Sequence, residues 1–287
     1  MKKLMILGSA GMLGHMVYYY LKNSSKYCIV DASFSKKLHE GSKLLDVTND
    51  NELEDFIITE KPDFIINCIG ILIKGSQTDP SNAIYLNSYL PHRLAKILRM
   101  IGGRLIHIST DCVFSGEKGN YAENDFRDAD DIYGRSKTLG EVINDIDVTL
   151  RTSIIGPELK INGEGLFHWF MKQKESIKGF TRVYWSGVTT LQLAKVIDEV
   201  IELKVAGLMH VSNGQKISKN ELLQLMNSIN DKNLTIKPSE DKYVDKSLQR
   251  SDILNMKVPD YKTMIEEQKK WMLNKEDIYL HYFHSTL

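Results

Sequence analysis

The sequence predicts an α/β fold: a parallel sheet with helices on both faces, followed by a smaller mixed lobe. Three observations predict it. Short β-rich apolar runs alternate with helix-length segments through the first half of the chain. The first of these runs ends at a turn with regularly spaced glycines. Beyond residue 155 the alternation loosens. Parallel strands need crossover helices, which cover both faces of the sheet, so buried runs separated by helices mean βαβ units.

The elements follow in order. "KLMIL" (3–7) is a strand ending at a glycine, and "MLGHMVYYYLK" (12–22) has helical length and no breaker. "YCIV" (27–30) is the next strand, "LLD" a short third one, and "NDNELEDFIITEK" (49–61) an amphipathic helix. "DFIINC" (63–68) is again β-rich, followed by a helix near 80–101 and the strand "RLIHIS" (104–109). The polar, breaker-rich stretch 115–131 is a long loop, which in a compact domain is functional or disordered. A helix near 131–145 and the strand "VTLRTS" (148–153) close the first half. "VYWSGVTTLQLAKVIDEVIE" reads as strand, turn and helix, and "GLMHVSNG" contributes one more strand. The expected division is a Rossmann-type, doubly wound dinucleotide-binding domain over 1–155, completed by 184–212, with a substrate lobe over 156–287.

Composition narrows the function. The 287 residues carry 37 Lys and Arg against 37 Asp and Glu, a formal net charge of zero. That balance offers neither a nucleic-acid footprint nor a polybasic membrane surface. The opening apolar run stops at Gly8, too short for a signal peptide or a span, so a cytoplasmic protein is expected. Cys28, Cys68 and Cys112 have no CxxC or zinc spacing, and the two in or after apolar runs are expected as buried free thiols. The "HYFH" tail places His281 and His284 three apart, but nothing supplies further ligands, so no metal site is expected.

"GSAGMLG" sets Gly8, Gly11 and Gly14 in a GxxGxxG pattern between a strand and a helix. Glycines there let the backbone approach a pyrophosphate seated on the helix N-terminus. Asp31, ending the second strand, stands where a carboxylate grips the adenosine ribose hydroxyls, which argues for NAD. The following Ser33, Ser35, Lys36 and Lys37 suit a 2′-phosphate instead, which argues for NADP. Asp46, in "LLDVTND", is placed to meet the adenine or to charge the start of the next helix.

A hydride transfer to a carbonyl needs a proton donor and something to hold the oxygen. In "IYGRSK", Tyr133 and Lys137 lie one helical turn apart on one face. A tyrosine whose pKa falls from about 10 toward neutrality requires about 4 kcal/mol of differential interaction, and a nearby ammonium supplies part of it. Ser109 and Thr110 in "HISTDCVF" sit at the C-terminal end of a strand, where doubly wound folds bind ligands.

Together, GxxGxxG, Asn67-Cys68-Ile69-Gly70, "STDCVF" and YxxxK resemble the extended short-chain dehydrogenase/reductases. Within them the resemblance is to dTDP-4-dehydrorhamnose reductase-like proteins, the sugar-nucleotide 4-keto reductases. "GNYAEND", "IYGRSKTLGE", "LRTSIIGP" and "GLMHVSNGQKISKNELL" extend it over nearly the whole chain. The resemblance implies Thr110, Tyr133 and Lys137 as a catalytic triad. It implies cofactor contacts at Gly8, Ala10, Gly11, Met12, Leu13 and Gly14, and at Asp31, Ser33, Ser35 and Lys36. Further contacts are Asp46 and Val47, then Cys68, Ile69 and Gly70, and Asn87 and Ser109 beside Tyr133 and Lys137. Substrate is expected at Asp111, Val113, Phe114, Ser153, Trp169, Trp185 and Arg250, with Lys246 and Ser247 as diphosphate candidates and Phe167, Trp169 and Phe170 as pocket or core.

"CIGILIKGSQ" departs from the rhamnose branch and is closer to reductases of UDP-N-acetylated deoxyhexuloses. The implied activity is NAD(P)H-dependent reduction of a nucleotide-linked 4-keto-6-deoxyhexose for cell-surface polysaccharide, with NADP(H) ahead of NAD(H). An epimerase, or a regulatory subunit like that of methionine adenosyltransferase, are the alternatives. The partner implied is a nucleotide-diphosphate sugar; a homodimer fits, and neither nucleic acid nor membrane is expected.

Overall fold

The computed structural model describes residues 1–253 and 257–283; His284 lies outside the described residues. Its centre is a seven-stranded parallel sheet. In chain order the first six strands are β1 (Lys2–Leu7), β2 (Tyr27–Ser33), β3 (Lys43–Leu44), β4 (Phe64–Asn67), β5 (Arg104–Thr110) and β6 (Val148–Thr152). The seventh, Gly207–His210, adds to the edge beside β6. Across the sheet the order is Gly207–His210, β6, β5, β4, β1, β2, β3. The chain therefore moves outward from β1 first to one side and then to the other. The crevice where that reversal falls, between β1 and β4, is where such sheets bind ligands.

Residues of alternating parity feed two cores. Leu4, Ile6, Ile66, Ile106 and Leu150 face one side, under helix α1 (Gly14–Leu21) and the helix Thr190–Leu203. Met5, Leu7, Ile65 and Leu105 face the other, where α2 (Asp50–Glu60) packs. Strand side chains alternate faces, so two buried faces require the continuous apolar runs the sequence carries.

The helix expected near 80–101 is broken. After the short α3 (Ile73–Thr78), α4 (Pro80–Ile84) runs into a π-helical turn at Tyr85–Tyr89 before α5 (Leu90–Ile101). Pro91 sits in the first turn of α5, where its missing N–H is tolerated. The helix expected near 131–145 ends early, as α6 (Ile132–Leu139). Gly140 ends it where a Cβ would stand 1.8 Å from the Asn87 carbonyl oxygen. Cys28 is exposed rather than buried, at the end of β2 that β3 does not reach: β3 pairs only with Ala32 and Ser33.

Beyond β6 lie short sheets and the helices Leu166–Met171, Lys219–Ile229, Tyr261–Leu273 and Glu276–Phe283. The 115–131 loop is stitched onto this region. Tyr121 N–H donates to Ser247 O (2.8 Å), Gln249 N–H to Tyr121 O (2.8 Å) and Asp245 N–H to Gly116 O (2.7 Å). Among the described residues no helix is long and apolar enough to cross a membrane, and no cluster of three His, Cys, Asp or Glu side chains could hold a metal.

Candidate active site

A cavity of about 760 Å³ opens at the carboxyl ends of the central strands. Its walls come from four of them: Ala10–Leu13 after β1, Cys68–Gly70 after β4, Ser109–Cys112 at the end of β5, and Thr152–Ile154 after β6. Tyr133 and Lys137 from α6 complete that wall, and Glu158, Lys160, Glu164 and Gly165 line the C-terminal side.

The glycine turn is shaped by backbone crowding. Gly8 has φ +80°, the left-handed region, and a Cβ at Gly14 would lie 2.2 Å from the Gly8 carbonyl oxygen. Gly8 and Ser9 both donate their N–H groups to the Ala32 carbonyl (2.8 and 3.0 Å), fixing the turn against β2. Helix α1 then begins at Gly14, two residues later than Met12. The narrow, glycine-rich turn at a helix N-terminus fits a dinucleotide pyrophosphate.

The helix carrying Tyr133 and Lys137 is pressed onto the end of β5. A Cβ at Gly134 would stand 2.3 Å from the Cys112 carbonyl oxygen, so the glycine in "IYGRSK" permits that contact. Asp131 caps the helix by accepting from Gly134 N–H at 2.8 Å. Thr110 caps the next turn, its Oγ1 accepting from Cys112 N–H (3.1 Å) and donating to Asp111 Oδ1 (3.2 Å). The same hydroxyl lies close enough to Tyr133 to pull its titration down. Lys137 is buried and donates to the Ile108 carbonyl at 2.6 Å.

The titration behaviour differs from the expectation. Burial pushes the Tyr133 hydroxyl above its usual range; Cys112, once ionised, and the Asp111 and Asp131 carboxylates add to this, and nearby Thr110 opposes them. The expected fall of the tyrosine toward neutrality does not occur. Burial lowers Lys137 to about 8, against the attraction of Glu141. Burial raises Asp111, with Lys246 and Lys219 opposing. Lys219, to which the sequence assigns no role, is itself lowered to about 8 by burial and lies 5.3 Å from the centre of the Trp185 ring. The Cys68 and Cys112 thiols are each pushed up to about 12 by burial, so neither is a nucleophile at neutral pH.

Most other sequence-marked cofactor residues stand apart from the cavity or are engaged elsewhere. Asn87 lies in the π-helical turn; its Oδ1 accepts from Ile71 N–H (2.9 Å) and its Nδ2 donates to Ile71 O (3.0 Å) and Ser136 Oγ (3.1 Å). It ties the loop after β4 to α6 with its carboxamide fully used. Ser109 lines the cavity but donates its hydroxyl to Glu141 (2.7 Å). Asp46 binds the Thr48 N–H (2.9 Å) and hydroxyl (2.7 Å), and Val47 is buried. Ser33 donates to Lys36 O (2.5 Å), while Ser35, Lys36 and Lys37 are exposed.

Val113 and Phe114 form a small core with Tyr121 and Leu248, Phe114 stacking on Tyr121 at 4.0 Å. Trp185, Phe167 and Phe170 are core, and Trp169 is exposed away from the cavity lining. Arg250 packs beside Gly214, and Ser247 bonds Asp245 at 2.5 Å. Of the substrate residues marked in the sequence, Asp111 and Ser153 line the cavity.

A buried ionic cluster lies behind the site, and no spacing within any one motif announces it. Glu141 Oε1 accepts from Ser109 (2.7 Å) and Arg151 Nε (2.9 Å); Oε2 accepts from Arg151 Nη2 (2.7 Å) and Arg127 (2.8 Å). Arg151 also reaches His210 Nε2 at 2.8 Å. Only the tertiary fold brings these five segments together.

A doubly wound sheet with this glycine turn and a YxxxK helix at the strand ends defines an extended short-chain dehydrogenase/reductase, a class of NAD(P)-dependent oxidoreductases. Residues 1–281 match the RmlD substrate binding domain, and the chain belongs to that family. A hypothetical dTDP-4-dehydrorhamnose reductase from Sulfolobus tokodaii is similar at 29% identity and TM-score 0.79, over 91% of this chain and 98% of that one. The dTDP-4-dehydrorhamnose reductase of Bacillus anthracis, solved with NADP, shares the fold at 23% identity and TM-score 0.80, over 94% and 99% of the two chains. Methionine adenosyltransferase 2 subunit beta of Xenopus tropicalis is 26% identical over 237 residues, 77% of this chain and 70% of its own.

Proposed function

We propose that the protein is an NADPH-dependent reductase of the 4-keto group of a nucleotide-linked 6-deoxyhexose, of dTDP-4-dehydrorhamnose or UDP-2-acetamido-2,6-dideoxy-4-hexulose type. One observation carries the reading: the glycine turn, Thr110, Tyr133 and Lys137 open into one cavity. In this reading 1–155 with 184–212 holds the cofactor, 156–287 shapes the sugar pocket, and the enzyme works in the cytoplasm on precursors of surface polysaccharide as a homodimer.

The turn from Gly8 to Gly14 holds the pyrophosphate, and Cys68, Ile69 and Gly70 flank the nicotinamide half. Bound NADPH supplies a hydride to the sugar C4. Tyr133 gives its proton to the C4 oxygen as the carbonyl becomes an alcohol. Its burial keeps that proton in place at neutral pH, as a general acid requires. Thr110 holds the oxygen by a hydrogen bond. The Lys137 ammonium, one turn away, stabilises the tyrosinate left behind and binds the nicotinamide ribose. Asp111, with Lys219 and Lys246 facing it, orients the sugar nucleotide.

A second reading is supported by the methionine adenosyltransferase relative: a dinucleotide-binding regulatory subunit. An epimerase would use the same groups in a closed redox cycle. A panel of UDP- and dTDP-linked 4-ketosugars with NADPH and NADH separates the three. A reductase consumes reduced cofactor stoichiometrically, an epimerase consumes none, and a regulatory subunit turns over nothing.

A further inference from the structure

Asp31 is the acidic residue at the end of β2, where a free carboxylate grips the ribose hydroxyls of NAD. Here both of its oxygens are engaged. Ser9 Oγ donates to Oδ2 at 2.6 Å, and His39 Nε2 lies 2.8 Å from Oδ1. The Asp31 side chain is 2% exposed while the His39 ring is 36% exposed, so the imidazole covers the carboxylate from the solvent side.

His39 is itself held from several directions. Its ring stacks on Tyr18 at 4.9 Å and 27°. Its backbone N–H donates to Ser42 Oγ at 3.1 Å, and its carbonyl accepts from Ser42 N–H at 3.0 Å. Gly41 N–H donates to Nδ1 at 3.1 Å, which makes Nδ1 an acceptor and places the ring hydrogen on Nε2, toward Asp31. Beyond the ring the strand end presents exposed Ser35, Lys36 and Lys37.

We propose that His39 sets dinucleotide selectivity: by latching Asp31 it withholds the carboxylate from the adenosine ribose and shields its charge, so the 2′-phosphate of NADP(H) is accepted at the lysine-bearing turn. This rests on the reductase reading and names the residue that decides its cofactor. Releasing the latch exposes an acceptor for two ribose hydroxyls and a negative charge facing a 2′-phosphate. Both effects move selectivity toward NAD(H).

The test is equilibrium binding of NADPH and NADH to the intact protein, with His39→Ala, His39→Gln and Asp31→Asn variants. The wild type is expected to bind NADPH at least about tenfold tighter than NADH, the scale of one hydrogen bond to a charged group. His39→Ala should narrow that ratio about tenfold through tighter NADH binding, and His39→Gln, which keeps a donor, should restore it. Asp31→Asn should leave wild-type NADH affinity within about twofold but abolish the gain in the His39→Ala background. An unmoved ratio in His39→Ala, or a tenfold loss of NADH affinity in Asp31→Asn alone, overturns the latch. Failure of the wild type to bind either dinucleotide would instead remove the reductase reading, and the latch with it.

Discussion

Replacing Glu141 by glutamine tests whether the buried ionic cluster holds the back of the site. Glu141 and Arg151 are both 0% exposed. The carboxylate accepts four hydrogen bonds, two of them from Arg151. A carboxamide keeps one oxygen and turns an NH₂ toward N–H donors, so at least one guanidinium N–H loses its acceptor and the buried charge its counter-ion. Breaking one side of a buried pair costs about 3–5 kcal/mol. At roughly 2–4 °C per kcal/mol, the melting temperature should fall by roughly 10 °C.

Urea unfolding followed by circular dichroism measures the loss, and the denaturant slope should not change. Glu141→Leu with Arg151→Met, which removes both charges, should recover much of it. Neighbouring charges and hydrogen bonds hold Glu141 below the usual carboxylate range despite burial. Its contribution is therefore present above the unfolded pKa and is lost as pH falls through the folded one. A loss below about 1 kcal/mol in Glu141→Gln would refute the reasoning, because Arg151 would then be satisfied by His210 and backbone alone.

Gly14→Ala places a methyl 2.2 Å from the Gly8 carbonyl oxygen, so the turn must open; dinucleotide affinity, read by fluorescence titration, should fall at least about tenfold. Lys137, lowered to about 8 by burial, holds its ammonium below that pH and loses it above. Turnover should therefore fall as pH rises through about 8 in a pH–rate profile. Between pH 8 and the ordinary lysine range the unfolded chain binds the extra proton, so this group's contribution to stability rises instead. A melting series against Lys137→Met separates the two effects. Asn87→Ala removes three hydrogen bonds and should cost about 1–3 kcal/mol in urea unfolding.

The sheet was legible because runs such as "KLMIL" and "DFIINC" carry apolar residues on both faces, which a strand covered on both sides permits. The glycine turn, Thr110, Tyr133 and Lys137 were legible because their roles depend on local spacing. The break at Tyr85–Tyr89 was not: it serves Asn87, whose partners Ile71 and Ser136 lie 16 and 49 residues away. Phe114 and Trp185 look like sugar platforms in sequence, yet the fold spends them on cores with Tyr121 and Tyr261. His39 acts through Tyr18, distant in sequence, and no motif contains it; Lys219 lies inside "GLMHVSNGQKISKNELL", but only the fold brings it to Asp111.

The central claim is that Tyr133 delivers a proton in a cavity it shares with the dinucleotide. Tyr133→Phe removes one hydroxyl at a half-buried position and leaves the glycine turn intact. The decisive measurement is single-turnover reduction of an accepted 4-ketosugar by this variant, with NADPH affinity measured on the same sample. The account predicts a loss of at least about 10²-fold in rate, the usual range for removing a general acid, with affinity within about twofold of wild type. Turnover retained within a few-fold, at unchanged affinity, would contradict it.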